Sequence, residues 1–416
     1  MAEAVAGLVA AEQIISTGVE AGVAVALARP TLPLKGSLSQ IATFATDDSQ
    51  LALSRYNHTV TTINNKAYIF GGQKHDGQLC STDVHAVAVP TANGAAETEY
   101  ACYPALAMKD AETGETLVPA PRTEHASCAR GHYLIIHGGR DAAGNAIDEG
   151  CIWLWDSNNL SWSRVRAPSQ IGKKLVPRFG HHVFLEEKQD FLVLHGGHTA
   201  PGSPESDETW LYTFDTLAWT EMPAAPSPPS AAAFVNNVLY TISKGINTPG
   251  AIHVLDVKNN ATDREKPDAL EWHTVDFATN PLAPGPQPRE GGALVPITTG
   301  VGRQYLIYMF GHVDDSVGGE RDYYSDIWSL QLPSRGFSAA ALKDAIRDKL
   351  PRADSGELSW AEVEIVPGEE IMAEGKAHPG PRGFFGADAA GEKSVIFWGG
   401  LDGRGNEGDG WLLQIQ

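Results

Sequence analysis

Cysteine is scarce in this chain, and the four that occur are scattered. Cys80, Cys102, Cys128 and Cys151 stand singly, and no Cys-x-x-Cys pair is present. No lysine or arginine precedes Arg29, whereas a secretory leader begins with positive charge. We therefore expect free thiols in a reducing compartment, with the cytoplasm as the location, and neither stable disulfides nor a zinc site.

Positive charge is also in short supply. The chain has 31 lysines and arginines against 51 aspartates and glutamates, which gives a formal net charge of −20. Such a surface repels phosphate backbones and anionic lipids, and no lysine- or arginine-rich run offsets it. The composition therefore argues against nucleic acid and membranes as partners, and it suits a monomer.

The sequence has no uninterrupted apolar run that is long enough to span a membrane. Residues 2–28 come closest, but Glu3, Glu12 and Glu20 interrupt them. Each glycine in this stretch would weaken a helix by roughly 1 kcal/mol. We predict a short N-terminal helical segment, residues 1–30, that packs outside a β-rich domain of residues 31–416.

What the chain does contain is glycine in a recurring pattern. Apolar runs such as FLVLHGG end in a Gly-Gly pair, and the pairs end at Gly72, Gly139, Gly197 and Gly400, with a partial copy at Gly311. An arginine-led segment usually precedes the pair, and a polar loop and two strand-like segments follow it. Four short strands per repeat are typical of β-propeller blades. The glycines have a structural role in this interpretation, because only glycine turns sharply and packs closely at little cost.

The repeats number six. The first begins near Arg55 and the last near Arg382; the fourth, about 229–277, is degenerate and lacks the leading arginine. The fifth carries an insertion, residues 337–350, with the spacing of an amphipathic helix. The last repeat is one strand short, and an unpaired edge would expose backbone donors and acceptors. We predict that residues 32–44 supply the outermost strand of the last blade and close the ring.

The glycine pair after a β run, a large residue further on and a late tryptophan together resemble the kelch motif. The resemblance covers nearly all of the chain beyond residue 30, and it implies an all-β, six-bladed kelch β-propeller with a short N-terminal helix outside it. The run PTLPLKGSLSQI is also similar to stand-alone fungal kelch proteins, and the chain more distantly resembles the plant specifier proteins. A fold of this kind predicts architecture better than chemistry, because unrelated functions share it.

Five arginines that precede the first strand of a blade are the first candidates for a site: Arg55, Arg122, Arg178, Arg289 and Arg382. Propeller symmetry should bring them to one end of the central channel, where a ring of guanidinium groups would bind an anion or a carboxylate. In the specifier proteins and the sialic-acid mutarotases, arginines at this place are thought to contact substrate, which the resemblance carries over to these five. The alternative is that they bond to backbone carbonyls between blades and hold the ring closed.

Acidic and histidine side chains beside these arginines are the candidates for acid–base catalysis. Glu124 and Glu290 each follow a leading arginine closely, and a carboxylate beside His125 or His182 could transfer a proton. Carboxylates in loops are more often simply solvated, and buried histidines are often bonded to the backbone. The remaining loop carboxylates with the same two interpretations are Asp83, Asp148, Asp207, Asp314, Asp315 and Asp326.

Histidines are frequent around the third repeat, where His181, His182 and His198 are close in sequence. His137 and His195 replace the aromatic residue before the glycine pair. A metal site needs three or four convergent ligands, and no diagnostic spacing is present. The Glu-x-x-x-Asp-x-x-x-His iron-binding pattern of the specifier proteins is absent, and the copper chemistry of galactose oxidase requires an exported protein. We expect no metal and no cofactor.

Two functions remain open from the sequence. In the first, the central funnel binds a small polar or anionic metabolite and catalyses a cofactor-independent isomerase, lyase or cyclase step in specialised metabolism. In the second, the propeller is a protein–protein interaction scaffold without catalysis. We favour the first, because kelch adaptors usually carry an oligomerisation or ubiquitin-ligase module and we expect none in this chain.

Overall fold

The computed structural model describes residues 31–41, 51–90, 98–109, 114, 117–166, 174–243, 251–257, 270–277, 285–299, 302–314, 321–334, 339–347, 356–366 and 378–416. Within them, antiparallel sheets form the six blades of a β-propeller, which confirms the predicted all-β fold. The predicted helical segment of residues 1–30 and the candidate Asp315 lie outside the described residues. No helix in the described part of the chain is long and apolar enough to cross a membrane.

Blades one to three are regular sheets in which consecutive strands pair. Blade one consists of β2 (Thr59–Ile63), β3 (Lys66–Phe70), β4 (Val84–Ala88) and β5 (Tyr100–Tyr103). Blade two consists of β6 (Ala126–Arg130), β7 (Tyr133–His137), β8 (Ile152–Asp156) and β9 (Ser161–Val165). Blade three consists of β10 (His182–Glu186), β11 (Phe191–His195), β12 (Thr209–Thr213) and β13 (Ala218–Met222). Their β-branched and aromatic side chains suit a pleated, buried surface.

Blades four and five keep this order despite their irregular sequences. Blade four consists of β14 (Pro229–Val235), β15 (Val238–Ser243), β16 (Ala251–Asp256) and β17 (Trp272–Asp276). Blade five consists of β18 (Ala293–Thr298), β19 (Gln304–Met309), β22 (Ile327–Gln331) and β23 (Trp360–Glu362). A small hairpin of β20 (His312–Asp314) and β21 (Arg321–Tyr323) extends its second-to-third-strand loop. Helix α1 (Ala339–Arg347) confirms the predicted helical insertion.

Blade six is completed by the N-terminal strand β1 (Lys35–Ile41). Its own strands are β25 (Gly386–Ala389), β26 (Ser394–Trp398) and β27 (Gly410–Ile415). β1 pairs antiparallel with β27, which confirms the predicted closure. The outermost place, however, belongs to β24 (Glu364–Ile365), which pairs in parallel with β1. The prediction that the N-terminal strand is outermost was wrong, because the segment after β23 covers the free edge of β1.

A separate apolar core fills each of the six interfaces between neighbouring blades. Trp155 and Trp162 of blade two pack with Phe70 of blade one, and Trp411 of blade six packs in the core shared with blade five. Leu412 and Val60 lie in the core between blades six and one, so the ring is closed by packing as well as by pairing. Full burial of each such side chain contributes about 1.5–3 kcal/mol. The stability of the ring therefore depends on all six interfaces.

Candidate functional site

The first strands of the six blades surround a central channel of about 540 Å³. Each of these strands begins just after a leading arginine or its counterpart, so all six run in the same direction along the channel. We call the end where they begin the mouth. The loops between second and third strands lie on the same face, because the strands of each blade alternate in direction. This mouth face is the candidate functional surface.

The five leading arginines do not point into the channel. They are at most 3% exposed, and none of them lines the channel. The Nη1 of each donates to the carbonyl oxygen at the first position of the glycine pair in its own blade. The donor–acceptor distances are 2.9 Å for Arg55–Gly71, 2.9 Å for Arg122–Gly138, 3.0 Å for Arg178–Gly196, 3.1 Å for Arg289–Phe310 and 2.9 Å for Arg382–Gly399.

Four of these guanidinium groups also meet a carboxylate just ahead of the third strand of the same blade. The pairs are Arg122–Asp148, Arg178–Glu208, Arg289–Asp326 and Arg382–Asp409. Each carboxylate also accepts from the indole Nε1 of a tryptophan on that strand: Trp153, Trp210, Trp328 and Trp411 respectively. In blade one, His85 Nε2 takes the place of the carboxylate, 3.0 Å from the Nη2 of Arg55.

These paired carboxylates are the residues that the sequence interpretation misplaced or missed. Asp148 and Asp326 appeared as loop acids, and Glu208 and Asp409 were not recognised. The signal was present, because an acid stands two residues before the tryptophan in ETW, DIW and DGW. Burial alone would raise the pKa of Asp326, but hydrogen bonds and the charge of Arg289 hold this pKa below its usual value.

The main chain of four of the leading arginines, Arg55, Arg122, Arg178 and Arg382, also contacts the preceding blade. The second glycine of the pair donates its N–H to the arginine carbonyl of the next blade, at 2.9 Å from Gly72 to Arg122 and 2.9 Å from Gly139 to Arg178. The first glycine of the pair also has no room for a side chain, since a Cβ at Gly138 would lie 2.5 Å from the Arg178 carbonyl oxygen. These contacts account for the arginines as structural residues, and their ligand-binding role stays a prediction.

A second set of backbone bonds surrounds the mouth. The residue two positions after each leading arginine has a positive φ and bonds to its neighbour in the adjacent blade. The described members of this ring donate as follows: Asn57 to Phe384 at 2.8 Å, Glu124 to Asn57 at 3.0 Å, Gly180 to Glu124 at 2.7 Å and Phe384 to Gly291 at 2.7 Å. The ring places Glu124 at the rim of the channel.

The histidines that follow the leading arginines fill space between blades. His58, His125 and His181 are buried, and the ring of His125 packs against Gly71 of the preceding blade. Burial lowers the pKa of His125 well below the usual value, and the nearby Arg122 charge lowers it further. Burial also lowers the pKa of His181 well below the usual value. Both imidazoles are therefore neutral at physiological pH, and His181 Nε2 lies 2.9 Å from His137 Nδ1.

The four candidate catalytic residues do not all meet at one place. Glu124, His125 and His182 line the channel, whereas Glu290 is exposed and does not. Glu124 accepts from Asn57 Nδ2 at 3.1 Å and from Arg140. Burial raises the pKa of Glu124, although the Arg140 charge opposes this rise. Burial lowers the pKa of His182 to about 4. Their catalytic roles stay predictions.

Asp388 is a channel residue that the sequence interpretation did not recognise. Asp388 lies on β25 and lines the channel, where its carboxylate accepts from the backbone N–H groups of Thr62 at 2.7 Å and Ala389 at 2.8 Å. Burial raises the pKa of Asp388 to about 6. Burial also raises the pKa of the neighbouring Cys128 thiol, and the Asp388 charge adds to this rise. No sequence motif marks Asp388. It reaches the channel only because it lies on β25, the first strand of blade six.

The charged residues that line the channel are acidic. They are Glu124, Glu187 and Asp388, and no lysine or arginine is among the described lining residues. The channel therefore offers no cationic group to a small anion. In the described part of the chain, no group of three or more histidine, cysteine, aspartate or glutamate side chains is placed to hold a metal ion.

The comparisons with known proteins agree with this architecture. A family model described as the KLHDC2/KLHL20/DRC7 Kelch-repeats domain matches residues 44–244. The solved structure titled "Structure of YjhT" superposes with a TM-score of 0.55 at 13% identity, and the match covers 87% of this chain and 97% of that one. At this identity the superposition supports the fold alone.

Several relatives share the repeats. Acyl-CoA-binding domain-containing protein 4 of Arabidopsis thaliana is 28% identical over 330 residues, which is 77% of this chain and 42% of the relative. Kelch-like protein 25 of Xenopus tropicalis is 32% identical over 31% of this chain and 21% of its own length. The Rab9 effector protein with kelch motifs of Homo sapiens is 32% identical over 19% of this chain and 20% of its own length. The chain thus spans less than half the length of these relatives, and its likeness to the specifier proteins stays a prediction. The repeats, the closed ring of six blades and these matches together support a kelch-repeat β-propeller.

Proposed function

We propose that this propeller is a protein-interaction module that binds a partner on its mouth face. The observation that carries the proposal is the internal use of the leading arginines. Their guanidinium groups bond to backbone carbonyls and carboxylates inside the blades. The positive charges that a small anionic ligand would need are therefore already engaged. The name of one relative, an effector of Rab9, also describes a protein that acts with a protein.

Site-specific photo-crosslinking in the native host tests this proposal. A benzoylphenylalanine residue replaces Glu149, which is exposed in the loop before β8 on the mouth face. The matched control replaces Asp215, which is exposed in the turn between β12 and β13 on the opposite face. We expect a partner protein cross-linked from position 149 and not from position 215. Equal yields from both positions, or no protein adduct from either, would contradict the proposal.

A second candidate function is the binding and conversion of a small polar metabolite in the channel. Its support is that Glu124 and His182 line one cavity of a size that small ligands occupy. A carboxylate with a raised pKa and a neutral imidazole could act together as acid and base. Native mass spectrometry after incubation with host metabolites tests this function. A bound small molecule that is lost in Glu124→Gln supports it, and an empty channel argues against it.

The division of the chain at residue 31, the monomeric state and the cytoplasmic location belong to the same proposal. A monomer suits a module that presents one face to a partner, and the net charge of −20 opposes self-association. Light scattering of the full chain measures the mass directly. A dimer would contradict this part of the proposal.

A further inference from the structure

The mouth-face loops of the first three blades are rich in carboxylates beyond those bonded to leading arginines. These loops are residues 73–83, 140–150 and 198–208. Their additional acidic residues are Asp76, Asp83, Asp141, Glu149, Glu205 and Asp207, and their basic residues are Lys74 and Arg140. Arg140 is already paired with Glu124. The loops therefore present an excess of negative charge to solvent.

Exposed aliphatic side chains occur on the same face. Leu51 is 70% exposed, Val118 is 37% exposed and Val176 is 44% exposed. Each lies within four residues before the leading arginine of blade one, two or three, so equivalent loops of consecutive blades carry them. Single exposed apolar residues need no explanation, but their presence in the same connection of three consecutive blades indicates a contact surface.

The channel beneath this face continues the negative charge. Glu124 lies two residues after Arg122, Asp388 six residues after Arg382, and Glu187 nine residues after Arg178. A strand advances about 3.3 Å per residue, so these carboxylates occupy three depths from the mouth to the far end. Glu124 at the rim is paired with Arg140, so the net negative charge of the channel comes from Asp388 and Glu187 further inside.

Resting on the proposed function, we propose that the partner presents a basic segment to the mouth face of blades one to three. The segment carries lysine or arginine side chains for the acidic loops, and aliphatic side chains for Leu51, Val118 and Val176. Charge complementarity favours this occupant, since like charges placed opposite each other at an interface weaken binding. These acidic loops would repel acidic protein segments, nucleic acids and anionic membranes.

A random peptide library displayed on phage and selected against the full chain tests this inference. We expect the enriched peptides to be basic, with aliphatic residues, and to bind less tightly as salt is raised. The charge-reversal variant carries Asp76→Lys, Glu149→Lys and Asp207→Lys, one in each of the three loops. This variant should weaken binding of the selected peptides by about tenfold or more, because the charge that attracts them during encounter and contacts them in the complex changes sign.

A matched variant controls for net charge. Asp215→Lys, Glu271→Lys and Glu392→Lys add the same charge on the opposite face, at exposed positions. This control should change the affinity less than twofold, about the size expected for distant screened charges. Circular dichroism and thermal unfolding confirm that both variants fold. Val118→Ser with Val176→Ser should also weaken binding of the peptides, because it removes the aliphatic contacts without adding charge.

The outcomes separate this inference from the proposed function. Enriched peptides that are acidic or uncharged would overturn the basic partner, as would basic peptides that bind both charge variants equally. Failure to enrich any basic peptide would also overturn it. In each of these cases, cross-linking from position 149 still decides whether a protein docks on the mouth face.

Discussion

At the scale of single residues, a leading arginine holds two blades together. In blade three, Arg178 donates to the Gly196 carbonyl at 3.0 Å and to Glu208 at 2.8 Å, while its own carbonyl accepts from Gly139 at 2.9 Å. A guanidinium group can make these contacts at once because its planar fork of donors is fixed, whereas a lysine ammonium is a point charge. The recurrence of arginine at this position therefore needs no ligand.

Replacing Arg178 with alanine should destabilise the protein severely. The change leaves Glu208 and the Gly196 carbonyl without their donor, and the loss from a broken buried pair is about 3–5 kcal/mol. Because Glu208 is 25% exposed, we expect the lower end of that range in the free energy of unfolding, measured in urea. Arg404→Ala, at an arginine that is 89% exposed, should change this free energy by less than about 1 kcal/mol. Unchanged stability of Arg178→Ala would contradict the structural role.

The glycine pairs permit a sharper comparison. Gly138 and Gly131 have similar φ values, +61° and +58°, but a Cβ at Gly138 would lie 2.5 Å from the Arg178 carbonyl, while the space around Gly131 is open. Alanine costs about 1–2 kcal/mol in left-handed backbone at either site. We expect Gly138→Ala to lose clearly more stability than Gly131→Ala in thermal unfolding. Equal losses would show that the close approach between blades contributes nothing.

Buried histidines should make the protein acid-sensitive. Burial lowers the pKa of His137 and of His195 to about 3, so the unfolded chain, with values near 6.5, binds more protons. The free energy of unfolding should have its full value above about pH 6.5 and should decrease as the pH falls toward 3. Each such histidine should lower it by up to about 1.4 kcal/mol per pH unit. Asp388 should oppose part of this loss of stability as the pH falls, because burial raises the pKa of its carboxyl group to about 6. A flat profile from pH 7 to 4 in urea unfolding would contradict this account.

At the scale of elements, the inserted helix α1 is attached to blade five by a buried ion pair. Arg303 donates to Asp344 Oδ2 at 2.8 Å and to the Ala340 carbonyl at 3.2 Å, and both charged side chains are at most 6% exposed. Ser334 donates to the same carboxylate at 2.7 Å. Since a buried charge without its partner is strongly unfavourable, this pair determines where the helix lies.

Removing one member of this pair should release the helix. Asp344→Ala leaves Arg303 buried without a counter-charge, and we expect a loss of about 3–5 kcal/mol together with faster hydrogen exchange over residues 339–347. The double variant Arg303→Met with Asp344→Ala should recover part of this stability, because no unpaired charge remains. A double variant that is no better than Asp344→Ala would contradict the ion-pair account.

At the scale of the whole molecule, the periodic features were predictable and the specific contacts were not. The glycine pairs and late tryptophans predicted six blades, and the missing strand of the last repeat predicted the pairing of β1 with β27. Symmetry predicted that the leading arginines lie together near the channel, and bonds to backbone carbonyls were the alternative to a ligand site, but the sequence did not show that these carbonyls belong to the arginine's own blade. The direction of each guanidinium group depends on carboxylates such as Glu208, whose partner becomes apparent only when the third strand is folded beside the first.

The character of the channel was equally hidden from the sequence. Glu124 was recognised because it follows an arginine, whereas Asp388 reaches the channel only through its place on β25. Each acid comes from a different blade, so no local motif contains them. Their sum, rather than any one residue, makes the channel acidic and directs the functional hypothesis toward a basic partner.

Closure of the ring is the claim on which the mouth face and its channel depend, and one disulfide measurement tests it most directly. Ser37 and Gln414 are directly opposite on β1 and β27. Paired antiparallel strands place such residues about 4.5–5.5 Å apart at Cα, within disulfide range. Oxidation of Ser37→Cys/Gln414→Cys should give an intrachain bond in the monomer, identified by peptide mass spectrometry, with a higher unfolding temperature. A pair that stays reduced, or that bonds only between molecules, would contradict the closed propeller.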